Sequence, residues 1–376
     1  MSSTGLVPSG RFQPEFEPVV ARLVDHVDAG LMSLGAQLSV TVQGECLVEI
    51  AVGDDGLGRP ISPDSLFALY CTAKPLTTVA IAGLVETGAL SVDARVGDFL
   101  GNRIRPRMSD LRLRDLLTHT AGLHHQTAQA AVFMPPILRD EAVLGSEPVA
   151  GWQIGLDAGY SEYGAWHLLG RIIEVVAGRS TREVVMCGVV DALGLSGDLF
   201  LGFRDDEYDD NLDRLGVNLD MHALRRTPLL MERSRRVCTD ANPAIGGYGN
   251  ARGVARFYAE LLAILEGSRP TVPIGEKTLA DFVIEHRPAA HDPVLDRECA
   301  FGLGFMVGLR NHIFGTRCSA AAFGHSGFGG LSCGFADPNL DLSVALLFNG
   351  HIDTDTSLVY RRQMVVDAIY RIVNSG

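Results

Sequence analysis

The sequence predicts an α+β protein: one antiparallel sheet assembled from both ends of the chain, with helices flanking it and a mainly helical segment inserted between. Three observations carry that expectation. Strand-like alternation appears early, over 38–52, and returns in quick succession only over 303–348. The residues between them follow helical spacing, broken by Gly/Pro/Asp-rich loops. An amphipathic stretch sits near each terminus, suited to packing on a sheet. The chain is therefore expected to be a single domain over 1–376. Its sheet lobe comes from roughly 1–75 and 299–376 and its helical lobe from roughly 76–298, with a cleft where the lobes meet.

In chain order, 14–34 predicts a helix, because Phe16, Val19, Val20, Leu23, Val24 and Val27 recur on one face. Leu38-Ser-Val-Thr-Val-Gln43 and Cys46-Leu-Val-Glu-Ile-Ala-Val52 alternate on either side of Gln43-Gly44, which predicts a hairpin. Leu66–Tyr70 reads as a short extended entry to a helix that starts near Cys71 and passes Glu86. Helices are expected at Leu111–Leu117, Tyr163–Ala177 and Gly253–Leu265. Strands are expected at Leu303–Leu309, Ala320–Gly324, Leu331–Phe335 and Leu342–Phe348, with a last helix over Thr356–Val373.

Composition narrows the function. Hydrophobic residues make up 47% and charged residues 20% of 376 positions, an ordinary globular balance. The net charge of −13 opposes nucleic-acid binding and favours a small-molecule or protein substrate. The first ten residues lack the basic and apolar regions of a signal peptide, and no apolar run approaches the roughly 18 residues of a membrane span. The 7 cysteines are scattered and never form Cys-x-x-Cys, so neither a disulfide framework nor a zinc site is expected, and the cytoplasm is the expected compartment. Of 32 basic residues only Lys74 and Lys277 are lysines. Lysine, unlike arginine, gives up its proton when its surroundings demand it, which marks both as acid–base candidates.

Three short motifs carry chemistry. In Cys71-Thr-Ala-Lys74 the thiol and amine share one helix face, and a helix start beside an ammonium favours a thiolate. A buried structural cysteine next to a surface lysine is the plainer alternative. Tyr160-Ser-Glu162 offers a phenol for proton relay, or simply a packing tyrosine. His325-Ser326-Gly327, followed by Phe328-Gly-Gly330, gives a glycine-rich edge along which a substrate carbonyl can meet backbone N–H groups. His325 there is suited to orienting a carboxylate or shuttling a proton, or is a histidine in a turn. Asp205–Asp210 and the arginines at 225, 226, 233, 235 and 236 read more simply as solvated surface than as a cation site or a carrier-protein patch. His124-His125 lacks a third nearby ligand.

Taken in order, Cys71-x-x-Lys74, Leu116-Leu-Thr-His-Thr-Ala-Gly-Leu123, Tyr160-Ser-Glu162, Gly246-Gly-Tyr-Gly-Asn-Ala-Arg-Gly-Val-Ala-Arg-Phe257 and Gly324-His-Ser-Gly327 resemble the class C β-lactamase superfamily. That group includes D-alanyl-D-alanine peptidases, β-lactamase-like carboxylesterases and transacylases. The resemblance spans roughly 15–372 and implies Cys71 as nucleophile, Lys74 as general base, Tyr160 as proton relay, and the N–H groups of Cys71 and Phe328 as oxyanion hole. It implies a structural role for His119, which ties a loop to the helical lobe. The family has serine at position 71, so Cys71 is either a native nucleophile or a replaced serine. Glu162 stands where asparagine is usual, and its carboxylate is expected to pair with Lys74 or to meet a cationic substrate group. The least family-like stretches, 126–158 and 200–245, are expected to shape the acyl pocket.

A thioester intermediate yields to amines more readily than to water. The leading expectation is therefore an acyltransferase that takes acyl groups from a small-molecule thioester or ester (a CoA or acyl-carrier-protein thioester included) and passes them to an amine or alcohol. The alternatives are an esterase or amidase, and a binding protein that has lost turnover. No cofactor or metal is needed by this chemistry, and neither nucleic acid nor membrane is an expected partner.

Overall fold

The computed structural model describes residues 5–374 except 126–129, 132–133, 223–225, 230–232, 269–271 and 353. Expectations resting on Arg225 and on parts of 126–158 and 200–245 fall outside the described residues.

The largest element is a sheet of 9 strands: β1 (Ser9–Phe12), β2 (Gly35–Val42), β3 (Glu45–Gly53), β4 (Arg287–Asp292), β5 (Arg297–Phe301), β6 (Met306–Val307), β7 (Phe323–Ser326), β8 (Ser332–Asp337) and β9 (Leu342–Phe348). Their spatial order is β1-β3-β2-β9-β8-β7-β6-β5-β4, and every neighbouring pair is antiparallel. The two chain ends join at its centre, where β9 pairs with β2 from Leu342↔Val42 to Phe348↔Ala36. Gln43 and Gly44 both take positive φ, 51° and 74°, as the tight turn between twisted antiparallel strands requires.

Both faces of the central strands are covered, which is why Leu342-Ser-Val-Ala-Leu-Leu-Phe348 is buried at every position instead of alternating. Helices α1 (Glu17–Asp28) and, near the C-terminus, α5 (Met364–Val373) pack together beside the sheet, α1 against β2 and β3. On β2, β8 and β9 lies α4 (Ala251–Leu265), whose start is capped by the Asn250 side chain accepting from the Gly253 N–H. Each fully buried Leu or Val in these layers is worth about 1.5–3 kcal/mol relative to exposure. Two further helices fill the other lobe: α2 (Lys74–Glu86), buried at every position from Lys74 to Gly83, and α3 (Gly164–Ala177). A helix apolar around its whole circumference belongs inside, and α2 runs between the lobes.

The structure corrects several boundaries. The first helix stops at Asp28 rather than 34, where the Gly30 N–H closes on Val27 O at 2.9 Å. Leu66–Tyr70 contributes only Phe67–Ala68, and to a separate sheet of 3 strands with Gly247–Gly249 and Leu199–Leu201. The strand expected over Leu303–Leu309 shrinks to β6, and that over Ala320–Gly324 moves to β7. The final helix is interrupted by a wider π-turn over Val359–Gln363. The sheet lobe begins before 299, because β4 and the first two residues of β5 fall in the stretch expected to be helical, and α4 also packs on the sheet. Their sequence, Arg287-Pro-Ala-Ala-His-Asp292, has no apolar alternation because it forms an edge. Among the described residues no helix is long and apolar enough to cross a membrane.

Candidate active site

The junction of the lobes is built around the turn that enters α2. Tyr70 holds a left-handed backbone with φ 50°, costly for a residue with a Cβ and compensated by its packing. The 3-10 turn Tyr70–Ala73 follows, and the α-helix proper starts at Lys74. This places Cys71 at the helix entrance, one turn before Lys74, as the i, i+3 spacing predicted. Lys74 Nζ lies 3.1 Å from Cys71 Sγ. It also donates to Glu162 O and Ala244 O, both at 2.9 Å, while the whole residue is 0% exposed. The Nζ further sits 5.5 Å from the centre of the Tyr160 ring and 5.4 Å from that of Trp166. Among the described residues its hydrogen-bond partners are thus two main-chain carbonyls and Cys71 Sγ. Lys277, the other lysine, is exposed on the helix Glu276–Val283.

Tyr160 is set from three sides. Its N–H donates to Asp292 Oδ1 at 3.1 Å, and Asp292 is itself held by Arg287 at 3.1 Å in an ion pair buried within β4. The N–H of Ser161 donates to His119 Nδ1 at 3.1 Å, and the His119 ring stacks at 4.4 Å from the Tyr160 ring. His119 thus has the structural role expected of it. Tyr160 Oη is buried, and Cys71 is the neighbouring side chain that it faces. Burial, followed by the nearness of Cys71, pushes its phenol well above the ordinary value. That direction favours the neutral phenol at this position.

The third motif contributes its backbone. Ser332 Oγ donates to Leu69 O at 2.7 Å and lies 2.9 Å from Thr72 Oγ1, which ties the turn after β7 to the Cys71 turn. At Gly327 a Cβ would come within 2.3 Å of Ser332 Oγ and 2.7 Å of Leu69 O, so only glycine allows this approach. Phe328 begins the next turn, over Phe328–Gly330, whose Gly329 O accepts from the buried Arg361. Cys71, Phe328, Ser326 and Gly327 all line one cavity of about 440 Å³. His325 does not line it. Its ring is 0% exposed, Nδ1 lies 3.0 Å from Ser326 O, and burial followed by the Lys74 charge keeps it neutral far below its ordinary pKa. A neutral, enclosed imidazole does not bind a substrate carboxylate as a cation, which corrects that expectation.

Two more corrections concern the walls. Lys74 takes the main-chain carbonyl of Glu162, and no ion pair joins the two side chains among the described residues. The Glu162 carboxylate is exposed at the cavity mouth instead. The described cavity walls come from Val294–Arg297, Met306, His312, Thr354, Asp355, Leu358 and Arg362, and no described residue of 126–158 or 200–245 lines the cavity. Arg297 crosses the mouth to Asp355 at 2.6 Å. Three of the arginines considered as a carrier patch bond within the chain: Arg226 donates to Gly30 O, Arg233 to Leu212 O and Leu215 O, and Arg235 to Asp205 and Asp209. The acidic run 205–210 forms the exposed helix Asp205–Asn211 paired with those and neighbouring arginines. Sequence reading missed Ala244, Asp292, Arg287 and Arg361. Only Ala244 had any signal, its place just ahead of the glycine-rich stretch at 246.

Comparison with known proteins gives the same frame. The chain is 27% identical to Esterase EstB of Burkholderia gladioli over 398 aligned positions, covering 93% of this chain and 95% of the esterase. A penicillin-binding protein homologue from Caulobacter crescentus superposes with a TM-score of 0.80 at 26% identity, over 97% of this chain and 100% of that one. EstCE1, described as a hydrolase with promiscuous acyltransferase activity, shares the fold with a TM-score of 0.75 at 19% identity, over 95% and 98%. The Beta-lactamase family profile matches residues 20–366, and the chain belongs to that family.

Proposed function

We propose that the protein is an acyl-transfer enzyme working through an acyl–Cys71 thioester. The observation that carries this is the 3.1 Å approach of Cys71 Sγ to the fully buried Lys74 Nζ at the floor of an open cavity. In the first step Sγ attacks the donor carbonyl, forming the S–C bond, and the thiol proton passes through Nζ toward the leaving group. The carbonyl oxygen, negative in the tetrahedral intermediate, is placed against the N–H groups of Cys71 and Phe328. The donor's C–S or C–O bond then breaks and the leaving thiol or alcohol departs with that proton. In the second step an acceptor amine or alcohol attacks the thioester, and Cys71 leaves with the acceptor's proton. Neutral Tyr160 stabilises whichever leaving atom holds charge beside it.

The mouth favours amine acceptors. Glu162, Asp296 and Asp355 present carboxylates there, against Arg297, which is already paired with Asp355. Thioester donors carried by CoA or an acyl-carrier protein fit this scheme, as do simple esters. None of the described cysteines is disulfide-bonded, which fits a reducing, cytoplasmic setting. The second reading, hydrolysis with water as acceptor, is favoured by the likeness to Esterase EstB. A binding role without turnover fits poorly with a nucleophile, amine and phenol held this closely.

Brief exposure to a short-chain acyl thioester, followed by intact-protein mass spectrometry and peptide mapping, tests the proposal. The expected result is an acyl mass on Cys71 that amines discharge faster than buffer does, and no adduct in Cys71→Ala. Equal discharge by buffer alone would establish the esterase, and an adduct elsewhere would refute the nucleophile.

A further inference from the structure

Behind the Phe328–Gly330 turn lies a small sheet of 3 strands, in which Gly350–His351 pairs in parallel with Leu219–Asp220 and the latter pairs with Thr227–Pro228. The register sets His351 directly opposite Asp220, and parallel partners in register project to the same side. The Asp220 carboxylate then accepts from the His222 N–H at 2.9 Å, folding the chain so that the His222 ring returns over it, with Nδ1 3.0 Å from Oδ1. The two imidazole centres are 5.2 Å apart. One ligand atom from each of Asp220, His222 and His351 lies within 4.8 Å of the others. A zinc-sized ion bound at about 2.0–2.2 Å by each ligand needs those atoms roughly 3.3–3.6 Å apart. A modest turn of the half-exposed His222 side chain supplies the difference.

From this placement we propose that Asp220, His222 and His351 bind a divalent transition-metal ion of the zinc, cobalt and nickel class, and that the ion braces the oxyanion turn. The donor set, two imidazoles and one carboxylate, suits those borderline ions better than Mg²⁺ or Ca²⁺, which prefer oxygen alone. Three protein ligands leave a coordination position for water. The link to the active site is direct packing: the His351 ring stacks on Phe328 with centres 4.4 Å apart and planes 6° from parallel. Arg361 donates both to Gly350 O and to Gly329 O, bolting the same strand to the same turn. Fixing His351 to a metal therefore limits the motion of Phe328, whose N–H belongs to the oxyanion hole in the reading above.

The test uses the full chain, freed of metal by chelation and carrying Cys71→Ala so that the site thiol does not compete. Titration with Co²⁺ is followed by its d–d absorption. Expected are one equivalent bound, no sulfur-to-cobalt charge-transfer band, and slower amide hydrogen exchange in the peptide spanning Phe328–Gly330. His222→Ala, at an exposed position, should weaken binding by more than the roughly 10–100-fold typical of outer-sphere changes, with Asp220→Asn as a second check. Thiolate bands, or unchanged binding in both variants, overturn the site. Binding without altered exchange at Phe328–Gly330 overturns the brace. Because no reading depends on turnover, failure here is separable from failure of the acyltransferase proposal.

Discussion

The floor and the outer wall of the cavity are built by opposite rules. At the floor the key groups are enclosed and held from several sides: Lys74 is surrounded by 3 acceptors, and Tyr160 is fixed through Asp292, Arg287 and His119. The outer rim of the wall carries exposed groups, and there Arg297 pairs with Asp355, whose carboxylate side chain remains 67% exposed. A solvated pair of that kind contributes about 0–1 kcal/mol, whereas removing one partner from a buried set leaves orphaned groups at about 1–3 kcal/mol each. The difference teaches that the chemistry is structurally locked and that the choice of substrate is not.

Lys74→Ala tests the locked side and should have the largest effect. It removes the amine beside Cys71 and strips Glu162 O and Ala244 O of a donor. Acylation in single-turnover experiments should fall by about 10²–10⁴, and denaturant unfolding should show a loss of about 1–3 kcal/mol. A loss of rate with unchanged stability would separate catalysis from packing and break the comparison.

Next in size is the response to acid. Burial pushes His26 and His312 down to about 4, and holds His119 and His325 well below the ordinary histidine range as well. Because these folded-state values are depressed, the unfolded chain binds more protons once the pH drops below about 6.5. Stability is therefore complete above that pH and is lost progressively toward pH 4, by at most about 3 kcal/mol for each of His26 and His312. Thermal melts between neutrality and mild acid should show Tm falling well before ordinary carboxylates titrate. A flat profile through that window would contradict the buried, neutral imidazoles.

The smallest effects belong to the wall. Arg297→Ala and Asp355→Ala should each change stability by about 1 kcal/mol or less. Both should act mainly on KM for charged acceptors and leave acylation nearly intact, as parallel kinetics with neutral and cationic amines would show. A fall in acylation comparable to that of Lys74→Ala would move these residues from the wall into the machinery.

Much of the architecture was legible because it is local. Period-2 alternation marked β2, β3 and β9, Gln43-Gly44 marked their turn, and the i, i+3 spacing placed Cys71 beside Lys74. The edge strand β4 was not legible, since Arg287-Pro-Ala-Ala-His-Asp292 lacks any apolar rhythm. Nor was the direction a side chain would face. His325 turned inward while its neighbours Ser326 and Gly327 line the cavity, and Glu162 met Lys74 with its carbonyl instead of its carboxylate.

By itself, then, the sequence determined the α+β order of elements, the family, and the pairing of Cys71 with Lys74 at a helix start. Propensity, periodicity and turn chemistry act over a few residues and can be read along the chain. Only the tertiary structure decided the burial of the Tyr160 phenol and the His325 ring, the carbonyl partners of Lys74, and the meeting of Asp220, His222 and His351. Desolvation and long-range pairing set those outcomes, and both depend on what the folded chain brings into contact from distant positions.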